Sequence, residues 1–163
     1  MTLQRFRLYL NLCFLFPCVQ FLLFLCIPLV DPAGSQIQQL SAYLLAVGFW
    51  ICMVLELLFI FRCGKERLQL EKRLQPCRRE KYVYPGILSF FKNVEAIVAD
   101  VVLFATIILT VIFIWVRIPY GLISIGCMAV AFLSFQMHCL LNGKNYGYKK
   151  ALYKQQKEHK RNE

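Results

Sequence analysis

Acidic side chains are scarce in this chain: nine Asp and Glu stand against 19 Lys and Arg in 163 residues. Catalytic signatures are missing too. There is no G-x-S-x-G elbow, no H-E-x-x-H helix, no glycine-rich phosphate loop and no dinucleotide fingerprint. The hydrolase, zincin and nucleotide-dependent classes that carry those motifs therefore find no support. The eight cysteines contain no C-x-x-C pair, and no N-x-S/T sequon occurs. The ten-residue alternation of a membrane β-barrel is absent as well.

What the chain has is apolar length. Hydrophobic residues make up 59% and the mean hydropathy is +0.55, against about 45–50% apolar residues in soluble domains. Four runs exceed the roughly 18 apolar residues that mark a membrane-crossing helix. They cover about residues 8–30, 40–61, 96–116 and 118–141. At 1.5 Å per residue, each can cross about 30 Å of hydrocarbon. Backbone groups in lipid must be satisfied within the segment, so the runs are expected to be helices. The expected fold is all-α: one membrane domain over residues 1–163, an antiparallel bundle of four transmembrane helices. The first run is longer than a signal-peptide core and is read as a retained anchor.

Charge sets the expected orientation, because Lys and Arg in short loops stay cytoplasmic. Residues 1–7 carry two, the loop 62–92 nine and the tail 142–163 seven. Residues 31–39 carry none, and the turn before the fourth run carries only Arg117. Both termini and the long loop are expected on the cytoplasmic side.

The connections agree. Residues 31–35, Asp-Pro-Ala-Gly-Ser, have turn chemistry. Residues 117–121, with Trp115 and Tyr120 at the interface, read as a tight hairpin. Residues 65–75 are good helix formers without glycine, so the second helix is expected to run on into the cytoplasm until Pro76. Residues 87–91 are apolar but too short to cross, and are expected at the interface. Asn142-Gly143 reads as a helix stop with a C-cap glycine. The lysine-rich tail has helix propensity but few apolar anchors, and its end is expected to be mobile.

Six cysteines (Cys13, Cys18, Cys26, Cys52, Cys127 and Cys139) fall in the apolar runs. Cys63 and Cys77 fall in the cytoplasmic loop, and none lies in an external turn. Reduced packing residues without disulfides are expected. Cys63, at the membrane edge, is the one palmitoylation candidate. The net charge of +10 flanks the apolar runs, so its expected partner is a bilayer with anionic headgroups rather than nucleic acid. A membrane-protein partner or a second copy of the chain is a further expectation.

Ionisable residues inside the runs are costly and default to a functional hypothesis. Three stand out: Glu56, Asp100 and His138. Counted from the flanking polar residues, they lie about 9, 12 and 6 Å deep, on the cytoplasmic side. Each continues a stripe of small residues: Ser41, Gly48 and Cys52 before Glu56, Asn93 and Ala96 before Asp100, and Cys127, Ala131 and Ser134 before His138. Small residues mark the faces where membrane helices pack. The three are expected to form one buried polar cluster, with Ser134, Gln136 and Asn93 around it. Glu95 points elsewhere and is expected to pair with Lys92 or a headgroup. The scattered ligands lack metal spacing, and no cofactor is implied.

Three functions remain open at this point. The leading one is a small non-catalytic accessory or interaction subunit with a basic cytoplasmic face. The second is a small transporter or channel component using the Glu56, Asp100 and His138 site. The third is a small intramembrane enzyme. Short loops and absent processing signals favour a bacterial cytoplasmic membrane over a eukaryotic endomembrane.

Overall fold

The computed structural model describes residues 2–26, 33–74, 84–116 and 121–162, and among them the chain is helical with no strand. Five helices follow in order: α1 (Thr2–Cys26), α2 (Gln36–Leu74), α3 (Ile97–Trp115), α4 (Gly121–Leu141) and α5 (Lys144–Asn162). Cys77, Pro76 and the hairpin residues Arg117 and Tyr120 lie outside the described residues. The stretches Leu3–Cys26, Gln36–Arg73 and Val94–Trp115 are long and apolar enough to cross a membrane. A fourth candidate is α4 joined to α5 across a 45° bend.

Local chemistry explains the ends. The Ser35 Oγ accepts from the Gln38 N–H at 3.4 Å, while the Ser35 N–H donates to the Gln38 side chain at 3.0 Å. This reciprocal capping box starts α2 four residues earlier than the apolar run suggests. At 39 residues, α2 is about 58 Å long. It is therefore longer than the roughly 30 Å that a crossing helix needs, as its composition predicts. An Arg67–Glu71 pair of 2.5 Å spans one turn of its extension.

Two hairpins build the molecule. α1 packs closely on α2, α3 packs closely on α4, and the two meet along α1 and α4. The buried stripe of α1 is Phe6, Leu10, Cys13, Pro17 and Gln20, spaced alternately by four and three as a packed helix face requires. On α2 the stripe ending at Glu56 faces inward, with Leu23 of α1 lying 3.5 Å from a Cβ placed on Gly48. Asn93, Ala96, Asp100 and Leu103 form the buried face of the third segment. α2 and α3, at the two edges, present large apolar side chains such as Leu44, Ile51, Leu58, Ile108 and Ile114 outward.

The first half of the tail has more apolar anchoring than its sequence suggests. α5 folds against the starts of α1 and the extension of α2, burying Tyr148 and Leu152 with Phe6, Leu10, Cys13, Cys63 and Leu70. Phe6 and Tyr148 meet edge to face at 5.7 Å, a favoured geometry for ring pairs. Two anchors one turn apart suffice because their partners come from two other helices. Cys63 is fully buried in this core, with its Sγ 4.0 Å from the Phe6 carbonyl. It is therefore closed to palmitoylation in the folded chain. The seven described cysteines are free thiols.

α4 stops at Leu141, as the Asn-Gly pair suggests, and the chain resumes as α5 at Lys144 after a 45° bend. A Cβ on Gly143 would lie 3.0 Å from the Cys139 carbonyl oxygen and 3.4 Å from that of Leu140. Gly143→Ala is expected to cost more than about 1 kcal/mol, since the backbone there has no room for a methyl. Gly64→Ala, with only Asn145 near at 4.0 Å, is expected to be neutral or mildly stabilising. Thermal or denaturant unfolding of the two variants checks this.

Candidate functional site

Two groups of hydrogen-bonded polar residues lie on opposite sides of α4. Gln136 and His138 are two residues apart, which turns them about 200° from each other around a helix axis. His138 faces α3 and Gln136 faces α2.

On the α3 side, His138 and Asp100 are both fully buried. His138 Nδ1 contacts Asp100 Oδ1 directly. Asp100 Oδ2 accepts the Phe91 N–H at 2.7 Å. His138 Nε2 lies 2.7 Å from the Ile87 carbonyl oxygen. A carbonyl only accepts, so Nε2 carries a hydrogen. Each polar atom of the pair thus has a partner, which is what its dry surroundings demand. The Asn142 amide nitrogen is 3.1 and 3.2 Å from the two ring nitrogens. Being nearly equidistant from both, it lies over the ring face. Phe90 stacks on His138 at 4.2 Å and 14°.

This group grips the chain that precedes α3. Residues 84–93 are non-helical, with tight turns at Gly86 (φ 85°) and Phe91 (φ 59°). A left-handed conformation at a bulky residue costs about 1–3 kcal/mol and persists only where its surroundings enforce it. Here the Asp100 carboxylate holds the Phe91 amide. Asn93 completes the grip. Its amide donates to the Leu141 carbonyl at 3.2 Å and to Asn142 Oδ1 at 2.9 Å, and its Oδ1 accepts from the Glu95 N–H at 3.3 Å. It thus satisfies an orphan carbonyl at the end of α4 and caps the short 3₁₀ turn Val94–Ala96.

On the α2 side, Glu56 is 3% exposed. Its Oε2 accepts from the Gln136 amide at 3.0 Å. Gln136 Oε1 is buried with no hydrogen-bond partner. Both residues line a groove of about 580 Å³ between α1, α2 and α4, with Met53, Cys13, Phe132 and Phe135 among its walls. Arg67 and Lys144 are among the residues that bound it. A second groove, of about 560 Å³ and almost wholly apolar, lies between α1, α3 and α4. Ser134 lines it and Glu95 stands at its end.

The expected three-member cluster is therefore divided. The structure joins Asp100 to His138 with Asn93 nearby, joins Glu56 to Gln136 instead, and leaves Ser134 in the second groove. Glu95 pairs with Lys150 at 3.1 Å, not with Lys92. The Tyr146 phenol, pushed up to about 12 by burial and by the Glu95 carboxylate, stays protonated and donates to Glu95. Sequence reasoning missed Asn142, although its i+4 spacing from His138 was a signal. It also passed over Gln20, fully buried with both amide atoms unpartnered.

Chemically, the Asp100–His138 pair is sealed and spent on internal bonds, so it has no face for a substrate. Among the described residues, no group of three His, Cys, Asp or Glu could hold a metal. Glu56 and Gln136 combine a buried ionisable group with open volume. No protein-family model matches the chain, and no curated protein or solved structure is significantly similar to it.

Proposed function

We propose that this chain is a four-helix integral membrane protein with both termini cytoplasmic, acting as a non-catalytic accessory or interaction subunit. α1 to α4 each span the bilayer in this reading, and α5, rich in Lys, lies outside it. The observation that carries the reading is the sealed Asp100–His138 pair. Its bonds hold residues 87–91 and leave nothing for turnover, so the most buried ionisable residues serve architecture. The product of that architecture is a firm cytoplasmic platform of α5 and the α2 extension. Its exposed Lys72, Arg73, Lys149 and Lys154 suit anionic headgroups, each basic residue near the surface contributing about 1 kcal/mol.

Single cysteines at Ala33 and Asn162, with the native thiols masked, test the topology while sparing the Ser35 cap. An impermeant thiol reagent is expected to label position 33 in intact cells and position 162 only after permeabilisation. The reverse pattern would overturn the orientation. Labelling of both in intact cells would overturn the even number of spans.

A second reading, a solute-binding component of a small transporter, is favoured by one specific observation. Glu56 lines an open groove at membrane depth, where a carboxylate without a cationic partner is costly.

A further inference from the structure

We propose that the groove at Glu56 and Gln136 binds the head of a primary alkylammonium; this inference rests on the second reading above. The Gln136 amide spends a hydrogen on Glu56, and what remains around the pair is acceptor capacity. Gln136 binds Glu56 through Oε2 alone, and Gln136 Oε1 is buried and unpartnered among the described residues. Among the described residues Glu56 has no ion-pair partner. A buried carboxylate bonded to an amide whose own oxygen is unpartnered calls for a guest with N–H donors and a positive charge.

The walls specify the rest of the guest. Phe132 and Phe135 are both aromatic, and Met53, Leu57 and Cys139 are apolar. Aromatic faces attract cations when water is excluded, and about 580 Å³ leaves room for an apolar body. Among the bounding residues, Arg67 is engaged by Glu71 and Asn145, and Lys144 lies over the Tyr84 ring at 5.7 Å. Those two cations disfavour a multiply charged guest. A single ammonium on a short alkyl chain fits all three constraints. A quaternary ammonium, lacking N–H groups, satisfies the charge but not the two acceptors.

The full chain in nanodiscs of zwitterionic lipid allows the test. Unfolding midpoints would be followed against rising n-butylammonium, butyltrimethylammonium and 1-butanol, since a guest that binds only the folded state raises the midpoint saturably. The expected result is a saturable rise with n-butylammonium, a weaker one with butyltrimethylammonium and none with 1-butanol. Glu56→Gln is expected to abolish the rise, and the surface control Glu158→Gln to keep it. Should Glu56→Gln fail to fold, Gln136→Leu is expected to weaken binding about tenfold through one lost hydrogen bond. An undiminished rise in Glu56→Gln or Gln136→Leu, an equal rise with 1-butanol, or no rise in the native chain would overturn the proposal. Binding without flux of the amine into proteoliposomes would uphold the site and remove only the transport reading.

Discussion

Asp100→Leu is expected to cost about 3 kcal/mol of stability, at the low end for breaking a buried ion pair, because polar groups in membranes find other partners. Two lost bonds and one strained residue explain the size. The Phe91 N–H loses its acceptor, His138 Nδ1 loses its partner, and Phe91 keeps a left-handed backbone with nothing to hold it. The loss should be local before it is global. Hydrogen exchange at the Phe91 amide is expected to rise by orders of magnitude while α1 and α2 stay protected. Asp100→Asn is expected to be far milder, under about 1 kcal/mol. Its amide can donate to Nδ1 while its oxygen still accepts from Phe91, and His138 keeps the Nε2 hydrogen for Ile87. A proton-carrying Asp100 would tolerate leucine and asparagine equally badly in function. The contrast between these two variants therefore separates architecture from proton chemistry.

Phe6→Ala should be about as damaging, at about 3–4 kcal/mol, within the range for emptying a buried aromatic site. Phe6 is fully buried and touches Tyr148 edge to face, so its loss opens the core that α1, α2 and α5 share. Limited proteolysis after the α5 lysines is expected to accelerate together with the fall in the unfolding midpoint. Phe6→Leu, which conserves most of the volume, is expected to cost under about 1.5 kcal/mol. If α5 were held only by headgroup attraction, Phe6→Ala would leave its cleavage rate unchanged.

Much of the helical order was legible because apolar runs of this length have few alternatives to a helix. Apolar run length located the central parts of α1, α2, α3 and α4, and the absence of glycine in residues 65–75 foretold the α2 extension. The small-residue stripes of α2 and the face carrying Asn93, Ala96 and Asp100 pointed inward as read. Illegible features depended on azimuth and on distant partners. Depth placed Glu56 and His138 at one level, but depth does not say which side of α4 each approaches. The two-residue offset between Gln136 and His138 decides that, and it sends Glu56 to a different partner. Tyr148 and Leu152 were hidden among lysines, and no local pattern says that Phe6 and Leu70 await them. The turns at Gly86 and Phe91 rest on bonds to residues 9 and 51 positions away, beyond the reach of local propensity.

The division of the buried polar residues into two independent pairs is tested most directly by two double-mutant cycles on one unfolding assay. Asp100→Leu combined with His138→Leu should cost at least about 1 kcal/mol less than the sum of the singles, since each single change already breaks the shared contact. Glu56→Gln combined with His138→Leu should be additive to within about 0.5 kcal/mol, as for sites without a common partner. Additivity of Asp100 with His138, or a coupling of Glu56 to His138 as large as theirs, would contradict the account.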